Sequence, residues 1–139
     1  MSAREEWIVR ELKAGDHIRY RFSGFYHHGL YEGDGWVIHF AGPNMEQLVN
    51  PEHVCVRRDT LEAFGNGRDI EVRKYTLREK LRKHSPKKAV ALARGRLGEK
   101  GYDIIYNNCE HFVNECVFGN HTSGFLQSVR EKLRKKLGK

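Results

Sequence analysis

Polar and apolar residues alternate most regularly in the first half of the chain. In 17-HIRYRF-22, Ile18, Tyr20 and Phe22 alternate with His17, Arg19 and Arg21, which predicts a half-buried strand launched from a turn at Gly15 and Asp16. A second run, 26-YHHGLYE-32, stops at 33-GDG-35, and a third, 36-WVIHFAG-42, follows at once. Two extended runs joined by Gly-Asp-Gly predict a β-hairpin. Shorter strands are predicted at 53-HVCVRR-58 and 69-DIEVRKY-75, on either side of the turn 65-GNG-67. The period then changes. Ser85 and Pro86 form an N-cap and first helical residue, Ala89, Val90, Ala93 and Leu97 recur at helical spacing, and Gly98 stops the run. Asn108 is placed to cap a second helix from Cys109 to about Phe118, with Phe112, Val113 and Cys116 inward and Gly119 beyond its end. Near the C-terminus, Leu126, Val129, Leu133 and Leu137 form one apolar stripe among basic residues. One α+β domain with a helical tail accounts for this order.

Charge changes the picture at one place. The formal net charge is +7, yet 126-LQSVREKLRKKLGK-139 holds six Lys or Arg against one Glu, so most of the excess lies in the tail. Three cysteines, Cys55, Cys109 and Cys116, do not make a disulfide framework. The first residues include early charges and no apolar core of a signal peptide, which predicts a reducing, intracellular setting. No window approaches the roughly 18 apolar residues of a spanning helix, so the chain reads as soluble. No groove-binding motif or aromatic platform for nucleic acid is present. The stretch 76-TLREKLRKHSPKK-88 fits a helix, a loop near a site or a partner-binding surface.

Candidate chemistry starts at Cys109. A thiolate is stabilised by the free N–H groups at a helix N-terminus, where 107-NNCEHF-112 puts this cysteine. An ordinary buried cysteine is the competing reading. Strand alternation gives His27, Gly29 and Tyr31 one face and His28, Leu30 and Glu32 the other. With Glu32 and Trp36 flanking the turn, Gly29 meets His39 and His27 lies diagonally from it on the same face. Cys109 as nucleophile, His27 as base and His39 as orienting group would complete a thiol triad, provided the helix docks on this hairpin. A metal site from His27, His39, Cys109 and His111 lacks short ligand spacing. Glu110 and His111 are expected on an exposed helix flank, and His17, His53, His84 and His121 at surface or loop positions. Trp36, Phe40 and Phe112 read as core.

The segments 27-HHGLYEGDGWVIHF-40 and 107-NNCEHFVNECVFG-119 together resemble the two signatures of the lecithin:retinol acyltransferase-like proteins. That group includes small phospholipase A and acyltransferase enzymes and is related to NlpC/P60 cysteine peptidases. The resemblance runs from about Gly15 to Gly119. It implies a circularly permuted papain-like α+β domain, an antiparallel sheet packed against helices, over residues 15–119. Residues 1–14 would be an N-terminal arm and 120–139 a basic amphipathic segment. It also implies Cys109 as nucleophile, His27 and His39 as its histidines, no cofactor, and acyl transfer from a glycerophospholipid through a thioester to water or an amine. Tyr26 becomes a candidate oxyanion donor, with a strand-edge aromatic as the alternative. Two features depart from the animal enzymes: His28 stands where they carry Trp, and a basic amphipathic segment stands in place of a hydrophobic anchor. Leu126, Val129, Leu133 and Leu137 could face an anionic membrane, giving a cytoplasmic protein peripheral on membranes; a solvated tail is the other reading. Two further functions fit the same residues: a non-lipid cysteine amidase or peptidase, and a catalytically idle binding module.

Overall fold

The computed structural model describes residues 5–42, 51–103 and 108–119. Its strands are β1 (Glu6–Ile8), β2 (His17–Phe22), β3 (Phe25–Gly33), β4 (Trp36–Ala41), β5 (Cys55–Thr60) and β6 (Glu71–Lys74). They form one six-stranded sheet in the order β1-β6-β2-β3-β4-β5, with antiparallel pairing throughout. The helices are α1 (Leu61–Gly65), α2 (Leu77–Arg82), α3 (Pro86–Gly95) and α4 (Cys109–Phe118). The fold class is α+β, as the change of period predicted. Residues 6–8, within the expected arm, form an edge strand against β6.

Two tight turns set the register of the central strands. Ser23 and Gly24 both take positive φ, joining β2 to β3 with Phe22 opposite Phe25. Asp34 and Gly35 do the same between β3 and β4. Such turns match the twist of the strands they join. The second differs in detail from the sequence expectation. Trp36 pairs with Gly33 rather than Glu32, and a bulge between Tyr31 and Gly33 absorbs the extra residue. Below the bulge Leu30 pairs with Ile38, so the expected register is recovered.

Alternation then gives the sheet two unlike faces. One carries Leu30, Ile38, Phe40 and Val56 against Ala89, Val90 and Ala93 of α3 and Phe112, Val113 and Cys116 of α4. Glu32, buried on this side, accepts hydrogen bonds from Arg58 of β5 and Arg94 of α3, tying the helix to the sheet. The other face carries Ile18, Tyr20, Val37 and Val72 under Phe64 of α1. Gly29 makes that second packing feasible, because a Cβ there would lie 2.7 Å from the Phe64 ring and 2.8 Å from Val37.

Several placements differ from the sequence reading. His17 is fully buried, because β1 reaches the sheet and lays Trp7 edge-on against it. His111 is buried too, since its Nδ1 accepts the N–H of Asn108 and closes a capping box. His84 is half-buried and hydrogen-bonded to the Cys116 carbonyl. Trp36 is half-buried under the Arg58 guanidinium rather than inside the core. Part of the open stretch 76–88 is helical: Thr76 caps α2, which buries none of its side chains.

Candidate active site

The site begins at the cap of α4. The Asn108 side chain accepts from the N–H groups of Glu110 and His111, so the helix starts at Cys109 as its polar sequence demands. The Cys109 sulfur lies among main-chain N–H groups of His28, Glu110 and Cys109 itself. The bond from His28 matters most for placement. It sets the sulfur against the β3 backbone one residue from His27, beyond Leu30 and Ile38, where the paired run of β3 and β4 ends.

The electrostatic result reverses one expectation. The N–H groups do pull the thiol pKa down, but Cys109 is only 7% exposed, and its burial pushes the thiol up to about 11. The resting group is a neutral thiol, so ionisation has to be driven by a neighbouring base.

His27 has the chemistry of such a base. Its ring is buried between Tyr20 and Phe64 on the face opposite His28. His27 Nε2 lies 2.8 Å from His39 Nδ1, and His39 Nε2 lies 2.7 Å from Asp59 Oδ2. Arg57 Nε is 3.0 Å from the same carboxylate oxygen. This chain fixes the protons. Asp59 is ionised, its pKa held below the ordinary carboxylate value chiefly by the hydrogen bond from His39. His39 must therefore donate from Nε2 and accept at Nδ1, and His27 must donate from Nε2. The lone pair of His27 is left on Nδ1, which is buried and has no hydrogen-bond partner among the described residues. Burial first, then the neighbouring His39, holds His27 well below the ordinary imidazole range, so it rests neutral and able to accept a proton.

The structure thus brings His27 and His39 together on one face of the sheet and packs Cys109 with Leu30 and Phe40 of the other, its sulfur at the main-chain N–H of His28. It does not bring Tyr26 to that group. Tyr26 is 42% exposed and points to the opposite face from His27, with the Arg19 guanidinium 3.7 Å above its ring. Leu126, Val129, Leu133 and Leu137 lie outside the described residues. So does His121.

Sequence reasoning missed Asp59. The strand was ended at Arg58, whereas β5 continues to Thr60 and sets Arg57 opposite His39 and Asp59 opposite Val37. The available signal was the alternation of Arg57 with Asp59, which puts both on the face of His39. Phe64 was missed as well; Thr60 caps a one-turn helix too short for periodicity to reveal.

Comparison with known proteins gives the family. The family model for lecithin retinol acyltransferase matches residues 10–122. Lecithin retinol acyltransferase of Rattus norvegicus is 30% identical over 91% of this chain and 63% of its own length. Among human proteins, phospholipase A and acyltransferase 4 is 31% identical, over 79% of this chain and 72% of its own. Human phospholipase A and acyltransferase 3 is 33% identical over 87% and 80%. The chain spans 63% and 58% of the rat and Mus musculus lecithin retinol acyltransferases it matches. With that extent of match, this chain belongs to the lecithin retinol acyltransferase family.

Proposed function

We propose that the chain is a thiol acyltransferase or phospholipase A that uses Cys109 as nucleophile and glycerophospholipid as acyl donor. The observation that carries this reading is the open, buried Nδ1 of His27 at the end of the His27–His39–Asp59 chain, beside the backbone that seats the Cys109 sulfur. In the first half-reaction His27 Nδ1 takes the thiol proton as sulfur attacks the ester carbonyl carbon. The imidazolium is stabilised through His39 by the Asp59 carboxylate. Collapse of the tetrahedral adduct breaks the bond to the glyceryl oxygen, which takes the proton from His27 and leaves as lysophospholipid. The oxyanion is assigned to the Cys109 main-chain N–H at the start of α4, rather than to Tyr26.

In the second half-reaction His27 deprotonates water or an amine, which attacks the thioester. Thiol is regenerated, and a fatty acid or an N-acyl amine departs. The apolar stripe Leu126, Val129, Leu133 and Leu137 and the basic residues beside it would hold the enzyme at an anionic, cytoplasmic membrane face. The test is incubation with short-chain phosphatidylcholine, followed by intact-protein mass and assay of lysolipid. Acyl adduct or lysolipid formation that disappears in Cys109→Ala supports the reading. Folded protein that gives neither product, yet cleaves an amide or peptide substrate, would replace it with the amidase alternative.

A further inference from the structure

The β2–β3 hairpin ends in an exposed aromatic tip for which the chemistry above has no use. Phe25 is 59% exposed although it occupies a strand position, opposite Phe22. It lies two residues from His27 and on the same face. Beside it stand cations. Arg21 is exposed on β2, and Arg68 lays its guanidinium 4.9 Å from the Phe22 ring and 5.4 Å from that of Tyr20. Arg68 has no carboxylate partner among the described residues. Phe22 and Arg68 also line a cleft of about 360 Å³ whose other walls include His39, Arg57 and Phe64. Tip, Arg68 and cleft therefore lie on the sheet face that holds the histidine chain, while Arg21, paired with Tyr26, flanks the tip from the other face.

We infer that the hairpin tip and the face behind it form a membrane-docking surface, with Phe25 inserted among the lipids of an anionic phospholipid bilayer, Arg68 at headgroup level on that face and Arg21 flanking the tip from the other. The inference rests on the acyl-transfer reading above for its purpose, but not for its test. Charge complementarity selects the partner: guanidiniums flanking an apolar tip match a surface of phosphate groups over hydrocarbon. Position supports the same choice. An ester drawn from a bilayer would enter beside the strand that carries His27. The fold has another exposed apolar pair, Leu77 and Leu81 on α2, but it is tethered by Glu79 to Arg73, which also bonds Asn114, well along α4 from Cys109. It serves as the control.

The experiment uses the full chain as Cys109→Ser, so that turnover does not disturb binding. Partition onto vesicles of phosphatidylcholine alone, or with about 30% phosphatidylserine, is measured for this protein and for added Phe25→Ser, Arg68→Gln and Leu81→Ser changes. Phe25→Ser is expected to weaken binding to the anionic vesicles about tenfold, the scale of one buried aromatic side chain. Arg68→Gln should weaken it two- to fivefold, and Leu81→Ser by less than twofold. A Phe25→Trp protein should show a blue-shifted emission increment on vesicles, quenched by brominated lipid. Failure of the parent to bind, or loss on Leu81→Ser or on neutralising the lysines and arginines of 126–139 with Phe25→Ser unaffected, would overturn the inference. Cleavage of a monomeric soluble ester by Phe25→Ser in the Cys109 background separates the two readings. Intact cleavage with lost vesicle binding upholds both. Vesicle binding that depends on Phe25, in a protein that cleaves no ester, upholds the surface and removes the enzyme reading.

Discussion

Two pairs of buried histidines sit back to back across the same sheet. On one face His27 and His39 are joined at 2.8 Å, and on the other His17 and His28 are joined at the same distance. Each pair leaves one buried Nδ1 without a partner among the described residues, on His27 and on His17. The difference lies at the far end. The first pair terminates in the Asp59 carboxylate. The second is packed edge-on against Trp7 and faces Arg19 and Arg73. A proton arriving at His27 can be compensated through His39 by a negative charge, whereas one arriving at His17 or His28 meets only more positive charge. Under the proposed mechanism a buried histidine dyad becomes a base through what anchors it, and the tandem His27–His28 divides the two roles between adjacent residues. The peptide between them presents the N–H that bonds Cys109.

The sharpest break in this comparison comes from losing the base. His27→Gln should lower kcat/KM for phospholipid by about 10²–10⁴-fold, the usual contribution of a positioned general base. His17→Gln should lower it less than tenfold. Asp59→Asn comes next, with an expected loss of about 10²-fold and little change in KM, because the His39 tautomer is no longer fixed. Steady-state kinetics on the three proteins orders the effects.

Titration sharpens the contrast further. The Cys109 thiol sits near pH 11, so iodoacetamide alkylation should accelerate about tenfold per pH unit between pH 7 and 10. A thiolate–imidazolium resting pair would instead give fast, nearly flat alkylation across neutral pH. Because the His27 pKa is lowered, kcat/KM should hold steady as pH falls through 6.5 and decline only in more acid solution.

The smallest effect concerns stability. His28 is neutral in the fold, with its pKa lowered to about 3 mainly by burial and then by Arg19 and Arg73. The unfolded chain binds a proton there near the ordinary value, so stability present above about pH 6.5 is lost as pH falls from 6.5 toward 3. One such group contributes a slope of about 1.4 kcal/mol per pH unit. His28→Phe should remove that part of the acid dependence in urea melts at pH 7 and 5.

What the sequence made legible follows from how local each signal is. The β3–β4 hairpin is written in Asp34 and Gly35, and the start of α4 in Asn108, so the strand of His27 and the helix of Cys109 could both be read from adjacent residues. The His27–His39 contact was legible for the same reason, since a two-residue turn sets its register. Asp59 was not, because its approach to His39 depends on where β5 aligns with β4, a pairing across about 20 residues. Burial of His17 was hidden for a similar reason. It depends on β1, which reaches the sheet only through β6, more than 60 residues later in the chain. The upward push on the Cys109 thiol was not legible because capping is a local property and burial is not.

In the proposed mechanism Cys109 accepts the acyl group while His27, anchored through Asp59, takes its proton. First-turnover release of lysophospholipid, followed by rapid quench with enzyme in excess, measures that step even where the thioester is short-lived. The result expected is release that is abolished in Cys109→Ala, slowed about 10²-fold or more in His27→Gln, and nearly unchanged in His17→Gln. Equal slowing by His27→Gln and His17→Gln, or release that survives in Cys109→Ala, would contradict it.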